Sequence, residues 1–189
     1  MKVINTSKLY YGFPIFVLGY PDAQNQYNIT TCSSSYSLGS MVQFGLGADT
    51  NAATQISHYQ RCTLNLLPEE ALQVVEKAGF RHARAKLNAT IPYHIDQQTD
   101  LPVIDQALLT LYLRIDFERV YQGYANFTAH IEKREVRDDL IVDGKLQSAS
   151  FNPVLYVGDE HERKYRFLSD RSEKLGSFLR KERPRTKRP

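Results

Sequence analysis

Asn28-Ile29-Thr30-Thr31-Cys32-Ser33-Ser34-Ser35-Tyr36-Ser37 is the stretch on which the reading of the fold turns. It sets small and polar side chains between two apolar runs, Phe13-Pro14-Ile15-Phe16-Val17-Leu18-Gly19 upstream and Met41-Val42-Gln43-Phe44-Gly45-Leu46-Gly47 downstream. Short apolar runs bounded by Gly, Pro, Asn and Asp read as strands. Their close spacing predicts antiparallel hairpins, because a parallel neighbour needs a long crossover. Small side chains also let a ligand approach the backbone. The downstream run leads through Ala48-Asp49-Thr50-Asn51 into a helix-like segment. Exposed N–H groups and the helix dipole favour an anion at such a start, so the pattern suits a phosphorylated ligand.

Working outward, strands are predicted over 13–19, 28–36 and 41–47, with turns at Tyr20-Pro21-Asp22-Ala23-Gln24-Asn25-Gln26 and Leu38-Gly39-Ser40. Ala52, Ala53, Ile56 and Tyr59 recur at helical offsets over 50–59, with Asp49 or Thr50 placed to cap the first turn. A strand over 63–67 is followed by a helix over 68–79, with Pro68 at its first position, Glu69 and Glu70 in its first turn and Gly79 at its end. The polar residues 80–100 read as irregular structure. Apolar runs at 108–115, 125–131 and 136–142 read as further strands, and Asp143-Gly144 as a tight turn. Leu175, Phe178 and Leu179 predict a last short helix over 169–182, which Pro184 stops. Many short strands and few helices predict a mainly β fold: a Greek-key-like antiparallel β-barrel with flanking helices.

The chain has 189 residues, enough for one domain that buries about 70% of its unfolded surface without a disulfide. The expected division is a barrel domain over 1–168 and a C-terminal helix and basic tail over 169–189. Cys32 and Cys62 form neither a zinc framework nor a disulfide scaffold, which fits a reducing cytoplasm. Residues 1–8 lack the apolar core of a signal peptide, and no apolar run is long enough to span a bilayer, so the expectation is a cytoplasmic protein with no membrane partner. Arg180, Lys181, Arg183, Arg185, Lys187 and Arg188 against Glu182 give the last ten residues a charge of +5 and leave the other 179 at −2. A mildly acidic body with a basic end is not the surface of a nucleic-acid binder. The tail reads as a solvated terminus.

Several separated pieces, in order, resemble the flavin reductase-like family of FMN-binding split β-barrels over residues 10–168. The run 28–37 is similar to the family's flavin-contacting segment, and 56–65 to its helix leading into a "VN" strand, here Leu64-Asn65-Leu66. Leu101-Pro102-Val103-Ile104-Asp105-Gln106-Ala107 and Phe127-Thr128-Ala129-His130-Ile131 resemble two of its later strands. Asp138-Asp139-Leu140-Ile141-Val142-Asp143-Gly144-Lys145 followed by Asn152-Pro153-Val154-Leu155-Tyr156 is similar to its ending. The chain departs from the family at Gly39-Ser40, where a Pro-containing pair is usual, at His130, and at Ala52, where a Ser or Thr often opens the helix.

The resemblance implies FMN as cofactor, NAD(P)H as a transient electron donor, and a homodimer with the flavin near the subunit boundary. Phosphate and ring contacts are expected among Asn28, Thr30, Thr31, Cys32, Ser33, Ser34, Thr50, Asn51 and Thr54, with Thr30, Thr31, Cys32, Ser33 and Ser34 offering backbone N–H groups to the ring. Because Ala52 carries no hydroxyl, the phosphate contact is expected to shift to Thr50, Asn51 or the backbone. The redox chemistry belongs to the cofactor, so no catalytic residue is assigned. Cys32 lacks the nearby base that a thiol nucleophile needs. The five histidines show no close metal spacing, and no GxGxxG or Walker loop is present. The leading reading is electron transfer from NAD(P)H to flavin or another redox acceptor. The alternatives are a flavoredoxin-like FMN carrier without its own NAD(P)H activity, and a structural or nucleic-acid-associated protein using its basic tail.

Overall fold

The computed structural model describes residues 1–80, 85–87, 90–169 and 171–178. The strands of the first half are β1 Leu9–Pro14, β2 Phe16–Asp22, β3 Gln26–Cys32, β4 Ser35–Leu38, β5 Met41–Gly47 and β6 Arg61–Leu66. Those of the second half are β7 Tyr93–Asp96, β8 Leu101–Ile104, β9 Leu109–Tyr121, β10 Tyr124–Val136, β11 Ile141–Val142, β12 Lys145–Leu146, β13 Leu155–Asp159 and β14 Arg163–Arg166. Helix α1 spans Asn51–Tyr59 and α2 spans Leu72–Phe80. No helix among the described residues is long and apolar enough to cross a membrane.

Seven strands form one antiparallel sheet in the order β3-β2-β6-β9-β10-β5-β4. Its two edges, β3 and β4, are consecutive in sequence and joined through Ser33-Ser34, so the sheet curls into a barrel. The Gly45 N–H donates to the Ser34 carbonyl over 3.0 Å and pins that link to β5. Strand β5 alternates strictly, with Val42, Phe44 and Leu46 pointing inward. Inside, Phe44 stacks on Phe127 with ring centroids 5.1 Å apart, among Phe16, Leu18, Leu64 and Leu113. Helix α1 packs Ala52, Ala53 and Ile56 into the same core.

A second core lies on the other face of β2 and β3, where Ile15, Val17 and Ile29 meet Val74, Val75 and Ala78 of α2. Strand β2 is therefore buried on both faces, and its apolar residues run without alternation. A polar strut crosses from the sheet to β8. The Asn65 amide donates to the Val17 carbonyl over 3.0 Å and accepts from the Ile104 N–H over 3.3 Å and the Thr110 hydroxyl over 3.1 Å. A buried amide with its bonds made fixes the register of the strands around it.

The mainly β architecture and α1 agree with the sequence reading; several boundaries do not. The run 13–19 divides at Ile15 between β1 and β2, and 28–36 breaks at Ser33-Ser34, where the chain passes between the edge strands. The predicted helix over 68–79 begins as a short 3₁₀ turn, Glu69–Ala71, before α2, because Pro68 is extended and makes no side-chain cap. The segment 80–100 contains strand β7, hairpinned onto β8, while 81–84 and 88–89 lie outside the described residues. The predicted strand over 136–142 is interrupted between Val136 and Ile141 by a 3₁₀ turn, Asp138–Leu140, held by the bidentate Arg137–Asp139 pair and the buried Leu140. Asp143-Gly144 does turn the β11–β12 hairpin, with φ of 51° and 70°. Within 171–178 the predicted terminal helix is absent: a turn covers 175–178, and Leu175 is fully exposed at 100% with no core to pack against. Residues 179–189, including the basic tail, lie outside the described residues.

Candidate functional site

The C-terminal end of β3, the Ser33-Ser34 link, the end of β5 and the start of α1 converge on one cleft of about 1320 Å³. All nine residues expected at the site line it. Asn28, Thr30, Thr31 and Cys32 come from β3, Ser33 and Ser34 from the link, and Thr50, Asn51 and Thr54 from the start of α1. Their local roles differ, and the differences decide which groups are open to a ligand.

Asp22, only 2% exposed, organises the floor. One of its carboxylate oxygens accepts from the Asn28 and Asn51 amides, each over 2.9 Å, and the other from the Gln24 and Asn25 N–H groups over 2.9 and 3.2 Å. Burial raises its carboxyl, but those hydrogen bonds outweigh burial and hold it below the usual range. The amide N–H groups of Asn28 and Asn51 are thus engaged within the protein. Asn28 also accepts from the Lys86 N–H over 3.2 Å, and Asn51 from Gln55 over 3.2 Å.

Thr50 is the N-cap of α1: its hydroxyl accepts from the Ala53 N–H over 3.2 Å and donates to the Gly47 carbonyl over 2.8 Å. The Thr54 N–H makes the first intrahelical bond, to the Thr50 carbonyl over 3.1 Å. The backbone N–H groups of Asn51 and Ala52 therefore remain without partners among the described residues, an open pair of donors at a helix N-terminus. Thr31 is committed elsewhere, donating to the Val75 carbonyl over 2.6 Å, and Thr54 bonds back to Thr50 over 3.3 Å. The hydroxyls of Thr30, Ser33 and Ser34 make no hydrogen bond among the described residues and line the cleft. The Cys32 thiol donates to the Gly45 carbonyl over 3.0 Å, and burial pushes its pKa up to about 11, so it is a neutral packing group at physiological pH.

No family model matches the chain, and no curated protein matches it by sequence. Solved structures do. Flavoredoxin from Methanosarcina acetivorans superposes with a TM-score of 0.82 at 15% identity, covering 95% of this chain and 98% of its own. A candidate flavin reductase with a split barrel domain from Shewanella frigidimarina gives a TM-score of 0.75 at 14% identity, covering 87% and 85%. An FMN-binding protein from Thermus thermophilus gives 0.75 at 13% identity, covering 92% and 96%. The chain shares the split-barrel fold of these proteins. At these identities the likeness is one of backbone path, and this barrel's side chains must be judged on their own contacts.

Within the split barrel the cleft has a second wall that sequence reasoning missed. Lys86 lines it with its ammonium donating to the Ala78 carbonyl over 2.6 Å, near the end of α2. Burial lowers the Lys86 pKa, and no carboxylate pairs with it among the described residues. Tyr10, Tyr156, Arg163 and Tyr165 reach the cleft from β1, β13 and β14. A lone Lys in a polar stretch and a C-terminal hairpin carry no local signal of this kind, because pairing across the whole chain places them.

Proposed function

We propose that the cleft binds FMN and that the protein passes electrons from NAD(P)H through it to flavin or another acceptor. The observation that carries this reading is the convergence, in a flavin split barrel, of the free Thr30, Ser33 and Ser34 hydroxyls with the unpartnered Asn51 and Ala52 N–H groups. A terminal phosphate fits the two N–H groups and the helix dipole, while the Lys86 ammonium supplies a positive charge on the same cleft. The three hydroxyls suit a polyhydroxyl chain, and the small side chains beside Gly45 and Gly47 leave room for a planar ring. FMN when bound supplies the hydride and electron chemistry. The chain's part is to hold and orient, and the neutral Cys32 thiol takes no proton or electron pair in that role. Asp22 acts one step back, aligning Asn28 and Asn51 and with them the start of α1.

A homodimer through the outer face of β4, β5, β10 and β9 belongs to the same proposal. Tyr36, Gln43, Thr128 and Phe117 are consecutive cross-strand partners there, with Tyr36 54% and Phe117 61% exposed, and Leu38 at 67% extends the patch. Ser34 and Gly45 border both this face and the cleft. The test is to purify the protein, identify any flavin released on denaturation, and follow anaerobic bleaching of the bound flavin with NADH and NADPH separately. Bound FMN bleached by either nicotinamide supports the reading. Bound FMN inert to both would leave a carrier, and failure to bind FMN would overturn the cofactor assignment.

A further inference from the structure

The three-stranded sheet β1-β13-β14 turns one face toward the mouth of the cleft. Across that face Tyr10, Gly158 and Arg163 stand in one row, and Tyr156 and Tyr165 are partners in the next. The Tyr156 and Tyr165 rings stack at 5.4 Å with an interplanar angle of 18°, and Tyr10 stands edge-on to Tyr156 at 6.1 Å. Gly158 has φ of +139°, and a Cβ there would collide with the Glu162 carbonyl oxygen, so the centre of the first row carries no side chain. That gap lets the Arg163 guanidinium lean over Tyr10, 5.7 Å from the ring centroid.

The charges on this face are unevenly satisfied. Glu160 accepts from the Ser7 N–H over 3.3 Å and from its hydroxyl and lies 3.8 Å from the His161 imidazole, Glu76 accepts from the Tyr165 hydroxyl over 3.3 Å, and Glu162 pairs over 3.2 Å with Lys164, which strand alternation puts on the other face. Arg163 forms no ion pair among the described residues. An aromatic shelf beside an uncommitted guanidinium recognises a ring and an anion together, by stacking and by charge-assisted hydrogen bonds. The cleft is also larger than the roughly 300–1,000 Å³ of most single-ligand sites.

We propose that this face is a second subsite, which takes a planar aromatic group bearing an anion, the ring on the Tyr156–Tyr165 shelf and the anion on Arg163. The inference deepens the flavin reading, since a compound seated there adjoins the proposed FMN site. Two sources share this chemistry: the adenosine 2′-phosphate end of NADPH, and an aromatic carboxylate acceptor.

The experiment is calorimetric titration of the full chain, with and without FMN, using two matched pairs of probes. Adenosine 2′,5′-bisphosphate is compared with adenosine 5′-monophosphate, and benzoate with benzamide. In at least one pair the more anionic member should bind more tightly, by about tenfold. Arg163→Gln should abolish that difference, Arg163→Lys should keep part of it, and Tyr165→Leu should weaken both members of the pair. The pair that responds names the source. Equal binding within both pairs, or a preference that survives Arg163→Gln, overturns the subsite. A chain that fails to bind FMN yet keeps an Arg163-dependent preference would overturn the cofactor reading alone. Arg163 is exposed, and unchanged circular dichroism in the variants would separate lost binding from lost folding.

Discussion

Asn51, the first residue of α1, donates its side-chain amide N–H to the Asp22 carboxylate at the end of β2 over 2.9 Å. This bond aims the helix N-terminus at the cleft. Asp22→Ala takes the acceptor from the Asn28 and Asn51 side-chain amides and the Gln24 N–H, while the Asn25 N–H keeps the Asp22 carbonyl, and with Asn28 buried the change should cost about 2 kcal/mol of stability. Asp22→Asn keeps one acceptor oxygen and should cost less. Urea denaturation checks the order, and equal stability of Asp22→Ala and wild type would remove Asp22 as the organiser.

The phosphate seat separates by charge. Thr50→Asp keeps a capping oxygen for the Ala53 N–H, so α1 should persist. The new carboxylate stands beside the Asn51 and Ala52 N–H groups and should weaken FMN binding by more than about tenfold. Thr50→Ala loses the cap but adds no charge and should cost no more than about tenfold. Fluorescence titration of FMN reads both, and wild-type affinity in Thr50→Asp would place the phosphate elsewhere.

Acid stability should depend on Asp96. Burial raises its carboxyl, but hydrogen bonds from Lys133 over 3.0 Å and from Thr99 outweigh it and bring the pKa down to about 2. A carboxyl depressed in the folded state stabilises the protein above its unfolded pKa near 4 and loses that contribution as pH falls toward about 2. Wild type should therefore lose stability across that window more steeply than Asp96→Asn. Denaturation midpoints at a series of pH values decide it, and parallel curves would show that Asp96 carries none of the acid sensitivity.

Phe117→Lys places a charge in the exposed Tyr36–Gln43–Thr128–Phe117 row. If that face joins two copies, with the more than about 2,000 Å² usual for obligate interfaces, the variant should run as a monomer by light scattering while wild type runs as a dimer. A wild-type monomer at micromolar concentration, or a dimeric variant, would rule the face out.

What the sequence alone determined are features set within a few residues. The cap of α1 narrows to Asp49 or Thr50, of which Thr50 bonds to Ala53, and Asp143-Gly144 turns a hairpin because both residues take positive φ. The small-residue run from Thr30 to Ser34 was legible as a ligand bed for the same reason, since side-chain size is a local property. Tertiary structure alone decided which of those groups are free. Thr31 and Asn51 have the right chemistry, but the Val75 carbonyl and the Asp22 carboxylate claim their side-chain donors from other elements, and only the backbone N–H of Asn51 stays open. It also decided the far wall, where Tyr10 meets Arg163 through β13 across more than half of the chain. Local propensity is written in neighbouring residues, whereas strand pairing and the satisfaction of buried polar groups are settled only when distant segments meet.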